Sequence, residues 1–260
     1  MNMRHSAIWA VGMALLPAGA AAESGVAVPR AAYVRDAVGD LRPLEGVAGT
    51  FLLGAPLAGE VRAFASWSEE AVAVLDTRIV LLRNGRPVEE SPAPEGRVVV
   101  GLDEQGKPRV AVFPEAGAAA LRTRQGWEVL PTTLPEGTIL AAAAAARGAV
   151  LVLAVAREDG LWLVHRLVRR GATLREEWIA PGATAACLAP GGRVVFAAAG
   201  RIVVREPSEW RRAASVPGEV EALEPAGRGW IQIRLAGGRS RIARIDAGGV
   251  QIFHVPEAVP

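Results

Sequence analysis

From about residue 60 onward, short runs of apolar residues alternate with polar or small ones. Glycine, proline, asparagine and aspartate separate the runs. A period of two marks strands with one face buried. The pattern is clearest near the end. Val220–Glu224 reads as a first strand, Gly229–Leu235 as a second, Ser240–Ile245 as a third and Val250–Val255 as a fourth. Gly237-Gly238 and Asp246–Gly249 supply two of the turns. Four consecutive strands joined by tight turns form an antiparallel meander.

The same plan fits residues 60–96, 97–137, 138–183 and 184–218. In the first of these, strands fall near 61–66, 71–76, 78–83 and 86–90. Asn84-Gly85 predicts a type I′ hairpin, because both central residues of that turn need positive φ. Gln105-Gly106, Gln125-Gly126, Arg147-Gly148, Asp159-Gly160, Arg170-Gly171, Gly191-Gly192 and Gly200 mark turns in the others. Ala141–Ala146 is the ambiguous stretch. Its alanines favour helix by propensity. The Arg147-Gly148 turn and the run Val150–Val155 after it favour a strand, and small residues suit an inner strand packed closely on its neighbours. Strand is the expectation here.

Each unit closes on a similar ending: an apolar or small residue, proline, then glycine, glutamate or alanine. It reads Ala93-Pro94-Glu95-Gly96, Leu134-Pro135-Glu136-Gly137, Ala180-Pro181-Gly182-Ala183, Val216-Pro217-Gly218-Glu219 and Val255-Pro256-Glu257-Ala258, with a weaker copy at Ala55-Pro56. From Pro56 on, the prolines are 38, 41, 46, 36 and 39 residues apart. Repeats of about 40–45 residues with four strands each are those of β-propeller blades. On these repeats the chain resembles an extracytoplasmic bacterial β-propeller over about residues 60–258. A partial unit precedes them at 31–59, where Tyr33–Arg42 resembles the hairpin Ile242–Gln251. The resemblance is generic. The Trp-Asp dipeptide of WD repeats is absent and no Gly-Gly pair recurs as in kelch repeats, so no family's functional residues carry over. It implies an all-β propeller with five full four-stranded repeats plus a partial N-terminal blade, six in all, forming a single domain over 23–260.

Composition narrows the class further. The chain is 51% hydrophobic, which argues against disorder. Twenty-nine basic residues against 27 acidic ones give a net charge of +2, and Lys107 is the only lysine. Nucleic acid is not an expected partner, because that role wants a one-sided basic footprint. Residues 1–22 read as a cleavable signal peptide: Arg4 precedes the apolar run Ala7–Leu16, and Ala20–Ala22 suits a cut near Ala22-Glu23. A periplasmic or secreted location, with no membrane span after cleavage, is the expectation. Cys187 is the only cysteine, so no intrachain disulfide is possible, and its neighbours suggest a small buried hydrophobe.

The chain shows little catalytic equipment. His165 and His254 sit in separate strands without metal-ligand spacing. Ser66, Ser68 and Ser208 lack a neighbouring base, and no Gly-x-Ser-x-Gly elbow occurs. The pairs Glu69-Glu70, Glu89-Glu90 and Glu176-Glu177 do not converge by themselves, because adjacent strand residues face opposite sides. Asp76, Asp103 and Asp159, near strand ends, are the remaining acid candidates. The arginine groups Arg169-Arg170, Arg211-Arg212 and Arg239/Arg241/Arg244 are candidates for an anionic surface. Trp67, Trp127, Trp162, Trp178, Trp210 and Trp230 read as packing between repeats, with sugar stacking open to any that is exposed. No catalytic, cofactor-binding or metal residue is therefore assigned, and no cofactor is expected. The expected role is that of an exported, monomeric, non-enzymatic scaffold whose loops bind a protein or cell-envelope component. The alternatives are a polysaccharide hydrolase or lyase, drawing on the acids with His165 or His254, and a glycan binder without turnover.

Overall fold

The computed structural model describes residues 30–207, 209–246 and 249–257, without the side chains of 210–212. Residues 1–22, read from the sequence as a signal peptide, and the expected cut near Ala22-Glu23 lie outside the described residues. The described chain is all-β apart from one 3₁₀ turn at Ala146–Gly148. A three-stranded sheet comes first: β1 (Arg30–Arg35), β2 (Leu41–Val47) and β3 (Thr50–Leu53). Five four-stranded meanders follow. The first sheet holds β4 (Ala63–Trp67), β5 (Glu70–Val74), β6 (Arg78–Arg83) and β7 (Arg86–Pro92). The second holds β8 (Val99–Asp103), β9 (Pro108–Phe113), β10 (Ala118–Thr123) and β11 (Gly126–Pro131). The third holds β12 (Thr138–Ala145), β13 (Val150–Arg157), β14 (Gly160–Leu167) and β15 (Thr173–Ala180). The fourth holds β16 (Ala183–Ala189), β17 (Arg193–Ala198), β18 (Arg201–Arg205) and β19 (Trp210–Ser215). The fifth holds β20 (Val220–Gly227), β21 (Trp230–Leu235), β22 (Ser240–Asp246) and β23 (Gly249–His254). This is a β-propeller, as the repeats imply. The alanine stretch lies in β12 up to Ala145, and the turn begins at Ala146.

The first strands of the five meanders line the axis. Each touches the next, and β20 returns to β4. Two of these junctions are parallel pairs: Leu102 with Ala143 and Asp103 with Ala144, and Ser66 with Ala226. The backbones come so close that a Cβ on Gly101 would overlap the carbonyl oxygen of Ala142. The recurring ending falls where each outer strand hands over to the next inner one. Pro94, Pro135, Pro181 and Pro217 all sit between strands, where a missing N–H costs no ladder bond. Gly96, Gly137, Gly182 and Gly218 have φ of 86°, 112°, 61° and 114°, the left-handed conformation that lets the chain turn back to the axis.

Alternation along the strands fills the seams between sheets. Ala63, Ala65, Val72, Val74 and Ile79 of the first sheet pack on Val98, Val100, Leu102, Ala111 and Phe113 of the second. The seams between second and third, third and fourth, and fourth and fifth sheets are apolar in the same way.

The seam between fifth and first sheets is different, because the three-stranded sheet fills it. Tyr33, Leu41, Leu44 and Phe51 pack on Phe64, Ala73, Val80 and Leu82 of the first sheet and on Ala226 and Ile242 of the fifth. Strand β1 lies nearest the axis, touching β20 and β4. Tyr33–Arg42 thus forms a hairpin as its likeness to Ile242–Gln251 suggests, but an inner one rather than one between third and fourth strands. The space between fifth and first sheets is filled by packing, while at the axis β20 pairs with β4 directly.

Candidate functional site

The hairpins that join first to second and third to fourth strands gather at one end of the propeller, where the inner strands finish. At this end a cleft of about 500 Å³ opens between the third and fourth sheets. Its apolar wall comes from Leu102, Val152, Leu163, Leu188 and Val194. Its polar rim holds His165, Arg175, Glu177, Arg193, Arg205 and Glu206. The β16–β17 turn, Pro190-Gly191-Gly192, closes one side. Both glycines are left-handed, with φ of 80° and 76°, which the tight reversal requires.

Strand register places the rim. His165 of β14 lies opposite Arg175 of β15, and Leu163 opposite Glu177. Glu177 accepts a hydrogen bond from Arg175 Nη2 at 2.8 Å. It also reaches across the gap to accept one from Arg205 of the fourth sheet. Arg193 pairs with Glu206 at 3.1 Å. The Arg205 hydrogen bond, with the Arg205 and Arg175 charges, holds the Glu177 carboxyl below its ordinary range against the opposing effect of burial. Burial, and then the charge of Arg175, push the His165 imidazole down from its ordinary value, although Glu177 opposes this. His165 is therefore neutral near pH 7 and able both to donate and to accept a hydrogen bond. A carboxylate held by two guanidiniums is a weak base and stays ionised, so Glu177 suits recognition better than proton transfer.

The remaining candidates are dispersed. Glu176 turns to the opposite side of β15 from Glu177 and pairs with Arg157 at 2.9 Å, as alternation demands. Glu70 pairs with Arg83 and Arg122, and Glu89 also pairs with Arg122. Asp103 Oδ1 accepts backbone N–H groups of Gln105 and Lys107, both at 2.9 Å, and so shapes the β8–β9 turn. Asp159 Oδ1 accepts from Trp162 Nε1 at 2.8 Å. Asp76 is exposed in the β5–β6 turn. His254 contacts Arg241 on the fifth sheet. Cys187 is buried in the seam between fourth and fifth sheets, and burial pushes its thiol up. Ser66 is fully buried and Ser68 lies in the β4–β5 turn, while Ser208 is outside the described residues. Among the described residues no group of three or more His, Cys, Asp or Glu gathers in a way that would hold a metal. No helix among them is long and apolar enough to cross a membrane.

The tryptophans mostly pack. Trp67 covers Gly106 and joins the seam of first and second sheets. Trp230 stacks edge-on with Phe51 at 5.6 Å between ring centres. Trp178 is 48% exposed, and its Nε1 donates to the Asp159 carbonyl at 3.2 Å. The side chain of Trp210 is not described.

Sequence reasoning singled out His165 and the Glu176-Glu177 pair but missed Arg193, Arg205 and Glu206. Their roles depend on which sheet faces which, and no local spacing records that.

No protein-family model matches the chain, and no curated protein matches its sequence. Solved structures do match its shape. A protein of unknown function from Bacteroides caccae is 14% identical, with 84% of this chain and 90% of that one covered, at a TM-score of 0.52. A β-propeller domain from Myceliophteria thermophila is 13% identical, with 88% and 87% covered, at 0.48. Streptogramin B lyase is 13% identical, with 87% and 80% covered, at 0.48. At such identities the likeness is one of fold alone, and that the fold is a β-propeller rests on the ring of meanders that closes where β20 returns to β4.

Proposed function

We propose that the protein is an exported, non-enzymatic β-propeller scaffold that binds a protein or cell-envelope partner through the end of the propeller where the inner strands finish. One observation carries this reading: the cleft between third and fourth sheets joins an apolar wall to a rim of paired charges. Apolar area supplies affinity, and fixed charges at the rim select the partner. The chemistry fits an apolar side chain of a partner protein flanked by charged residues. Export rests on the sequence of residues 1–22 alone.

The test uses the mature protein with a photo-crosslinker placed at Arg193 and the native cell envelope as bait. A single protein partner is expected, and Leu163→Glu is expected to abolish its capture while leaving thermal unfolding close to wild type. Capture that is equal in the variant overturns the choice of cleft. Turnover of an envelope glycan or peptide, lost in His165→Ala or Glu177→Gln, overturns the non-enzymatic reading. Glycan recognition is the second reading, and the exposed ring of Trp178 favours it. An oligosaccharide that quenches tryptophan fluorescence in the wild type but not in Trp178→Ala would establish that reading.

A further inference from the structure

On the other side of the third sheet, at the same end of the propeller, lies a second cleft of about 670 Å³ facing the second sheet. Six arginines line it, Arg109, Arg122, Arg124, Arg147, Arg169 and Arg170, against a single acid, Glu128. The whole chain carries a net charge of only +2, so this is a local concentration and not a reflection of general basicity.

Part of the positive charge is answered within the fold. Arg122 pairs with Glu70 and Glu89, both at 3.3 Å, and Arg169 pairs with Glu128 at 3.4 Å. The rest is not. Among the described residues no ion pair is formed by Arg124, Arg147 or Arg170, which come from three different turns: β10–β11, β12–β13 and β14–β15. Arg109 is answered only loosely, its Nε lying 3.9 Å from a carboxylate oxygen of Asp103. The apolar residues Leu121, Leu130, Leu167 and Val168 also line the cleft, which weakens the competition of water for the guanidiniums.

We propose that this cleft binds a compact multivalent anion, a sugar bearing phosphate or carboxylate groups. Guanidinium forks on three turns match the paired oxygens of such groups. The concave shape, with arginines on both the second and third sheets, brackets a narrow ligand. It suits a flat anionic bilayer or a nucleic-acid duplex poorly. The site is distinct from the cleft between third and fourth sheets, and either proposal stands if the other fails.

The test is calorimetric titration of the mature protein with trigalacturonate, which carries carboxylates, and with fructose 1,6-bisphosphate, which carries phosphates. Sedimentation with phosphatidylglycerol-containing vesicles and titration with a short DNA duplex provide the other arms. One of the two sugar anions is expected to bind in a salt-sensitive manner. Arg124→Ser, Arg147→Ser and Arg170→Ser, all at exposed turn positions, are each expected to weaken that binding about ten-fold, the loss of one charge-assisted hydrogen bond. Arg78→Ser, on the first sheet and paired with Glu90, is expected to leave it unchanged. Absence of binding by both sugar anions overturns the proposal. So does equal loss in Arg78→Ser, or binding by vesicles or duplex alone.

Discussion

Two seams of this propeller solve the same packing problem differently. Between first and second sheets the buried contact is an apolar interlock of valines, alanines, Ile79, Leu102 and Phe113, and the ion pairs of Arg122 with Glu70 and Glu89 lie at its partly exposed margin. Between fifth and first sheets the three-stranded sheet is inserted, and a polar clasp sits beside its apolar core. Arg35, only 6% exposed, donates through Nη2 to both oxygens of Glu224, at 3.1 and 3.2 Å. Its Nη1 donates to the carbonyl of Val61 at 2.8 Å and to that of Arg62. Gln232 acts as an extra piece of backbone: Oε1 accepts from the Arg35 N–H at 2.8 Å, and Nε2 donates to the Arg35 carbonyl at 2.6 Å. Apolar seams join sheets that follow one another in sequence, so connectivity already limits the alternatives. The closing seam joins segments 189 and 197 residues apart, with no short connection to set their register. Directional hydrogen bonds have one good geometry, whereas apolar contact tolerates many. The comparison suggests that buried polar groups are used where the chain itself does not specify the fit.

The largest test of this contrast is Arg35→Met. It strands Glu224 and two carbonyls in a buried setting and is expected to cost about 3–5 kcal/mol in chemical denaturation. The double variant Arg35→Met with Glu224→Leu is expected to recover much of that loss, because no uncompensated charge remains. A double variant as unstable as the single one would show that the clasp supplies net stability and not register alone. Gln232→Leu comes next. It removes three hydrogen bonds, including one to Ser240 Oγ at 2.8 Å, and an expected cost of about 1–3 kcal/mol follows from the partners left unsatisfied. In the apolar seam, Ile79→Val is expected to cost about 0.5–1.5 kcal/mol, with no loss of cooperativity. If it disrupts the ring as badly as Arg35→Met, the two seams do not differ as argued.

The smallest effect is on pH dependence. His165 has a depressed folded-state value, so the unfolded chain takes up its proton first. Stability then falls as pH drops below about 6.5, the ordinary imidazole value. Glu177 is depressed too, and its contribution is present above the ordinary carboxylate value and lost as acid titrates the folded group. The denaturation midpoint of His165→Gln is therefore expected to fall less than that of wild type on mild acidification. Equal slopes would remove His165 from this account.

Much of the architecture was legible in short-range chemistry. Asn84 and Gly85 have φ of 53° and 79°, the pair a type I′ turn needs. The proline-glycine endings fall between outer and inner strands at each of the four handovers from one meander to the next. Period-two alternation located the meanders to within a few residues, because a strand with one buried face must alternate. The N-terminal hairpin was also visible, although its inner place in its sheet was not. Far less of the candidate site could be read. His165 was noticed as a histidine in a strand, yet its neutral state depends on burial and on Arg175. Arg169-Arg170 stood out as a pair, whereas Arg147 marked only a turn and Arg109 and Arg124 carried no signal until the second and third sheets were set side by side. The side chains of Arg211-Arg212 lie outside the described ones.

The sequence by itself thus determined an all-β chain of repeated four-stranded meanders and the points where one hands over to the next. Those features follow from alternation, positive φ and the missing proline N–H, each a property of a few neighbouring residues. Only the tertiary structure decided how the ring closes, that Arg35 and Gln232 secure it, and which side chains face each other across the two clefts. Those outcomes depend on distances between segments far apart in the chain, where burial and the field of opposing charges arise only once the sheets have packed.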